Sequence, residues 1–427
     1  MSELNILSLM TLVQNGSISR TGAKPKLPTT IPNLNENMLE VYRIPLHFLY
    51  YNDENGRIAS AISRLDEPLY PTRDEEDSRY NDVIEKMIVE DNSTSLKITK
   101  KSIKEKGQQV FGYVLDDGRV IDGNRRYTAL RQLAKETETR QFFEAVILPF
   151  TYASKAERAE IKRLELAIQM GQEEKQAYDP VDLSVDIYQT VREDGLMTEV
   201  DYAREANIPQ KEIKNYLRSV ELMRDFLDFI NAHQHAYYII KDTKLYTPIY
   251  ELGSKLERLF KPNTPKYEQT KIASFAMLSK MVATGGDTGR EFRNYMKDIV
   301  NSPQNESFND NIEDTVDELR DNFEAQEIKT AADFRRVLDQ STPALRAINN
   351  EYIQAANRQN RGKNVEGFIA DIKNIADNLN EIERGHGLTG SLSFSNFSKD
   401  QINDIRDLLV KINVVSRSLI EVYDDEI

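Results

Sequence analysis

Gly123, Arg125 and Arg126 are the residues of this chain most clearly suited to chemistry. They stand in Asp122-Gly123-Asn124-Arg125-Arg126, directly after Val120-Ile121 and before a helical spacing that runs to Lys135. A glycine at a strand-to-helix junction lets the backbone come close to a ligand. The first N–H groups of the helix then point outward at it. Two guanidiniums beside those N–H groups make an anion site, best suited to phosphate. Taken alone, Gly-x-Arg-Arg also fits a hairpin followed by a surface helix with solvated arginines.

The elements that position the box are short. Phe111 to Leu115 is β-rich, Asp117-Gly118 signals a tight turn, and Val120-Ile121 is a second strand. Phe142 to Phe150 is an apolar run that closes a small sheet, and Glu40 to Tyr51 reads as a strand punctuated by Pro45. The turn from Asn52 to Arg57 follows, and Arg57 is a candidate phosphate contact or an exposed turn arginine. Asp82 to Val89 has helical spacing, and residues 63–79 read as a loop. Leu96 to Lys106 carries five lysines, suited to nucleic-acid phosphates or to a solvated face.

A second motif lies downstream, over residues 197–220. Thr198 caps a first helix, small Ala203 permits a close crossing, and Asn207 suits a left-handed turn. A second helix then starts at Pro209-Gln210. Its inward face is Ile213, Leu217 and Val220, and its outward face is Gln210, Lys211, Lys214, Asn215 and Arg218. That is a helix-turn-helix layout with side chains suited to bases and phosphates of double-stranded DNA. An ordinary helical hairpin is the plainer reading.

The run Ser102 to Leu133 resembles the ParB/sulfiredoxin-like superfamily, and Gly123, Arg125 and Arg126 match the ParB phosphate box position by position. Asn124 stands where many members carry Glu. The resemblance covers roughly residues 38–225 and implies an α+β fold: a small mixed-sheet domain, a helix-turn-helix, then an all-α C-terminal region. It implies binding of a nucleotide, CTP, by Gly123, Asn124, Arg125, Arg126 and Arg57. The sulfiredoxin branch needs a catalytic cysteine, and the chain has none. ParB proteins also carry a Glu-Asn-x-Gln-Arg box that meets Mg2+ and phosphates. Here Ile168-Gln169-Met170-Gly171-Gln172-Glu173-Glu174 stands in its place, so Gln169, Glu173 and Glu174 are the substitutes to consider. Asp179-Pro180 resembles the family's Asn-Pro helix start, and it is a sound cap in any case.

The chain has 427 residues, 39% hydrophobic and 30% charged, which suits two or three folded domains. The expected domains are 1–37, helix and linker; 38–153, nucleotide-binding; 154–262, helical with the helix-turn-helix; and 263–427, helical. No apolar run approaches a membrane span, and the start lacks a basic region and cleavage site, so no secretory signal is expected; the resemblance implies a cytoplasmic, nucleoid- or plasmid-associated protein. The absence of cysteine excludes disulfides and Cys-based zinc sites, and His233 and His235 would diverge on a helix. The net charge is −14, and residues 301–327 hold nine acids against one arginine. Residues 301–311 read as a flexible loop. Two amphipathic stripes, Val365 to Ile382 and Ile402 to Leu419, pair within one chain or between two, and a homodimer is the preferred expectation.

Three functions fit these features. The first is a ParB-like DNA-binding protein in plasmid or chromosome partition or mobile-element regulation, with a partition ATPase or other protein as partner. The second is an enzyme on the same scaffold, a nuclease or small-molecule kinase, whereas CTPase activity is what the ParB resemblance of the first would imply. The third is a binding-only regulator without nucleotide turnover. A nuclease needs clustered acids and a metal, and no such cluster stands out.

Overall fold

Asp116-Asp117-Gly118 turns the chain between two strands, and the sheet is built on that hairpin. In the computed structural model, residues 8–26, 38–171 and 178–425 are described, apart from 66, 68, 75, 151, 153, 362–364 and 389–391. The strands are β1 (Ser19–Arg20), β2 (Val41–Pro45), β3 (Tyr50–Tyr51), β4 (Gly112–Leu115), β5 (Arg119–Asp122) and β6 (Phe142–Leu148). Their order is β1-β2-β6-β4-β5-β3. β6 lies between β2, antiparallel to it, and β4, parallel to it. The fold is therefore α+β with a mixed sheet, as expected.

Alternation along β6 feeds two cores. Phe143, Ala145 and Ile147 face one side, and Val146 and Leu148 face the other. The first side is covered by α1 (Leu9–Gln14), then, beyond the short α2 (Ala59–Ile62), by α3 (Arg79–Asp91), α4 (Ser93–Lys106) and α5 (Asn124–Thr137). The second is covered by Ile161, Leu164 and Ile168 of α6 (Lys155–Gly171). α1 packs on its own chain through Leu9 and Leu12, and the N–H groups of Leu9 and Met10 donate to Asp116.

Two local expectations change. The run to Tyr51 is not one strand, because after Pro45 a single helical turn at Leu46–Phe48 separates β2 from β3. Ser19–Arg20, expected in a linker, pairs with β2 at the sheet edge. The loop expected before α3 is anchored to the hairpin, since buried Arg73 donates to the Asp117 carbonyl at 3.0 and 2.7 Å.

Eight further helices of the first compact unit follow: α7 (Pro180–Tyr188), α8 (Glu199–Glu205), α9 (Gln210–Phe229), α10 (Tyr237–Asp242), α11 (Tyr246–Leu259), α12 (Pro265–Thr284), α13 (Thr288–Tyr295) and α14 (Asn305–Glu324). α15 (Ala331–Gln340) and α16 (Thr342–Arg361) follow. One core runs from Val181 to Ala355 and crosses the break at Lys261–Pro265, where a domain boundary was expected. The loop expected at 301–311 is largely α14. Phe308, Ile312, Val316, Leu319 and Phe323 recur at helical spacing beneath the acids and anchor it. Contacts divide the chain into Met1–Ala355 and Ala356–Ile427, and the second unit holds α17 (Val365–Arg384) and α18 (Lys399–Asp424). No helix among the described residues is long and apolar enough to cross a membrane.

Gly118 holds the hairpin at φ +96, and a Cβ there would fall 2.3 Å from the Phe48 carbonyl oxygen. Gly118→Ala is expected to cost about 1–3 kcal/mol, the range for forced overpacking. The denaturant midpoint checks this, and an unchanged midpoint would contradict the close approach.

Candidate functional site

The anion box sits where β5 ends and α5 begins. Gly123 has φ +98, a conformation that favours glycine, and a Cβ would lie 2.8 Å from the Phe143 ring. No side chain caps α5. Its first N–H groups, which have no partner within the helix, therefore open toward a cavity of about 510 Å³. Gly123, Asn124, Arg125 and Arg126 line that cavity together with Arg57, so all five residues expected at a phosphate site converge.

The arginines divide by role. Arg126 pairs with Asp122 at 2.7 Å and donates to the Val110 carbonyl at 3.2 Å, which braces the cavity wall. The same wall is fixed by Gln108, whose amide bonds both the N–H and the C=O of Glu144, at 2.9 and 2.7 Å. Arg125 is half-buried, and burial, then the nearby Arg57 guanidinium, pulls it below the ordinary arginine value. Two guanidiniums close enough to oppose each other's charge favour an anion between them. Asn124 Oδ1 is buried in the same region and has no hydrogen-bond partner among the described residues.

Arg57 is delivered by a separate loop. The Asn55 side chain accepts from the Arg57 N–H at 3.1 Å. The Arg57 guanidinium lies over the Tyr178 ring, 4.4 Å from its centre. Asp182 accepts from the Ser60 N–H at 2.8 Å, and a Cβ on Gly56 would fall 2.5 Å from Asp186 Oδ1. The loop is thus fastened to α7 and cannot swing independently of it. The basic α4 forms a rim with Thr99 and Ser102, while its Lys100 is paired with Glu136.

Glu165 also reaches the cavity and was not anticipated. It is 4% exposed and shares Lys162 with Asp186, at 3.3 and 2.6 Å respectively. Asp186 further accepts from the Tyr202 hydroxyl at 2.8 Å. Burial pushes Glu165 up to about 7, against the opposing pull of Lys162. A signal was present: Ile161, Leu164 and Ile168 form the inward stripe of α6, and Glu165 interrupts it. Of the residues considered for metal or phosphate, Gln169 lies in α6 with its side chain not described, and Glu173 and Glu174 fall outside the described residues. Among the described residues no group of three or more His, Cys, Asp or Glu side chains is placed to hold a metal ion.

The second motif forms two helices. Thr198 caps α8 by accepting from the Asp201 N–H, and Asn207 makes the turn at φ +51. Ile213, Leu217 and Val220 are buried along α9. Gln210, Lys211 and Lys214 are exposed. Asn215 and Arg218 are instead turned to α11: Asn215 donates to the Tyr250 hydroxyl at 3.3 Å, and Arg218 pairs with Glu257. Gly253 of α11 permits this approach, since a Cβ there would lie 2.9 Å from Arg218 Cδ.

No family model matches the chain, and no curated protein matches it. Among solved structures it is similar to the C-terminally truncated chromosome-partitioning protein ParB from Caulobacter crescentus complexed with CTP-gamma-S. Identity is 12%, 50% of this chain and 92% of that chain are covered, and the TM-score is 0.17. With a TM-score of that size the likeness does not show a shared fold.

The raised Glu165 carboxyl has a pH consequence. Its folded value, about 7, exceeds the unfolded value of roughly 4.3. Between those values the folded state holds more proton, so this group's contribution to stability falls as pH rises through the window. Glu165→Gln is therefore expected to flatten the decline in melting temperature between about pH 5 and pH 7. Equal pH slopes in the two proteins would contradict this assignment.

Proposed function

We propose that the chain is a ParB-like, nucleotide-binding, DNA-binding protein. One observation carries the nucleotide part: Arg57, from a loop fastened to α7, meets Arg125 and Arg126 at the uncapped start of α5 in one cavity. Polyphosphate suits this set, because helix N–H groups and paired guanidiniums both favour dense negative charge. Asn124 Oδ1 suits a hydroxyl or amino donor of the nucleoside. CTP is the nucleotide implied by the family resemblance of Gly123, Arg125 and Arg126.

Binding without turnover is favoured over hydrolysis. The two carboxylates in the cavity wall are already engaged, Asp122 by Arg126 and Glu165 by Lys162. Double-stranded DNA is the proposed partner of α9, through Gln210, Lys211 and Lys214 at its exposed start. Asn215 and Arg218 belong to this surface only if their contacts with α11 open. Plasmid or chromosome partition, or control of a mobile element, is the setting the resemblance implies.

Arg57→Ala and Arg125→Ala are each expected to weaken CTP binding at least about tenfold, since a charge-assisted bond contributes roughly 1.5–3 kcal/mol. Their melting temperatures should stay near wild type, whereas Arg126→Ala should lower both affinity and stability. Titration calorimetry with CTP and thermal unfolding separate these outcomes. Undiminished affinity in Arg57→Ala and Arg125→Ala would sink the nucleotide assignment.

For DNA, Lys211→Ala and Lys214→Ala should each reduce the slope of log affinity against log salt by about 1. Arg218→Ala should chiefly reduce stability through loss of its α11 contact. Binding to a duplex selected from a random pool, measured across salt concentrations, tests this. Identical salt slopes in both lysine variants would remove α9 from the DNA interface.

A further inference from the structure

We propose that Asp91 is the resident counter-anion of the anion cavity, competing with a bound polyphosphate for Arg57 and Arg125 and so setting the affinity of the site. The inference rests on the nucleotide reading of that cavity and adds a residue that regulates it.

Asp91 stands where a carboxylate is poorly stabilised. It is the last residue of α3, and the last turn of that helix holds no basic side chain. The C-terminal end of a helix carries partial negative charge and disfavours an acid. The Asp91 side chain is only 26% exposed, and it pairs with Lys241 of α10 at 3.9 Å, beyond hydrogen-bond reach. That ammonium lies closer to Asp182, at 2.7 Å, and is shared with Asp179, at 3.8 Å. Burial raises the Asp91 carboxyl above the ordinary aspartate value, and the charges of Asp182 and Asp179 add to the rise. A carboxylate kept for stability alone is hydrogen-bonded or open to water.

The cations around the cavity offset these costs. Arg57 lines the anion cavity and also a second cavity of about 390 Å³, whose wall includes Asp91, Tyr178 and Lys241. Lys241 and Arg57 are the cations that draw Asp91 back down. Asp91 in turn supports the charge of Arg125 against burial and against Arg57. From the second cavity it therefore relieves the repulsion between the two guanidiniums. A phosphate bound between the arginines relieves the same repulsion from the first. The two negative groups share their cations and oppose one another. A ligand must then displace a charge that the protein already supplies, which lowers its affinity. Lys241 is the cation left to Asp91 once a ligand holds the arginines.

The test is titration calorimetry of the full chain with CTP and with inorganic tripolyphosphate. Asp91→Asn keeps the shape of the side chain and removes its charge. It should bind both anions at least about threefold more tightly, as expected for loss of one opposing unit charge near the ligand. A merely structural Asp91 would instead give a lower melting temperature and no gain in affinity. Glu90→Gln removes the neighbouring exposed acid of the second cavity and should change affinity by less than about twofold, because solvent screens that charge. In an Arg57→Ala background the gain from Asp91→Asn should shrink, since one of the contested cations is gone. Unchanged or weaker binding by Asp91→Asn overturns the inference, as does equal tightening by Glu90→Gln or an undiminished gain in the Arg57→Ala background. Weaker binding by Arg57→Ala and Arg125→Ala with no gain in Asp91→Asn removes the counter-anion alone. Wild-type affinity in both arginine variants, or no binding of either anion, removes the nucleotide site and the counter-anion with it.

Discussion

Asp186 fixes the relative placement of most groups around the anion cavity. Its carboxylate takes the Lys162 ammonium at 2.6 Å and the Tyr202 hydroxyl at 2.8 Å, and it lies against the backbone of Gly56. Those partners belong to α6, α8 and the Arg57 loop. All four residues of the Glu165–Lys162–Asp186–Tyr202 network are nearly inaccessible to water. A buried ion pair contributes little net stability, because desolvation offsets attraction. Its loss is another matter, for removing one partner strands the other at a cost of about 3–5 kcal/mol. The arrangement therefore acts as a geometric constraint: any shift of α7 must carry the loop, α6 and α8 with it.

The same constraint bears on the anion proposed for this acidic chain. A net charge of −14 opposes anions at long range, but screening in physiological salt confines that effect to about 8 Å. Much of the excess lies on the outer face of α14, where Asp310, Glu313, Asp314 and Asp317 are exposed. Within the cavity the local balance differs. Arg57 stacks on Tyr178 and opposes the charge of half-buried Arg125, while Asp122 pairs with Arg126 and Glu165 with Lys162. Local geometry, and not overall charge, decides what binds there.

Much of this was legible in the sequence where the signal is local. Asp117-Gly118 marks the hairpin, Gly123 the strand-to-helix junction, and Asn207 the left-handed turn, because each conformation is set by its own residue. Arg57 joined the box only through a family resemblance and a turn signal, and the cavity brings them together. The losses are non-local. Glu165 was passed over because its burial depends on packing and its Lys162 is shared with Asp186, 24 residues further along the chain from that lysine. Arg218 read as outward from helical period alone, but α11, reached through Gly253, covers that flank. The α14 start read as a loop because its acids and Asn residues masked an apolar stripe that a core satisfies.

The two sides of the anion cavity are held by different parts of the same unit. Arg125 and Arg126 are positioned by the sheet, through Gly123 and the Asp122 pair. Arg57 is positioned by α7, through Asp182 and Asp186, and by Tyr178 just before it. Residues beyond α7 add to this, since Lys241 of α10 pairs with Asp182 at 2.7 Å and Arg64 pairs with Asp242 at 3.1 Å. A ligand that engages Arg57 and Arg125 together must therefore bridge the sheet and the helical layer. Its binding energy depends on their spacing, and by reciprocity its presence restrains that spacing. Tyr202, on α8, hangs from the same carboxylate that abuts the Arg57 loop. The helix pair α8–α9 thus shares its anchor with one wall of the cavity.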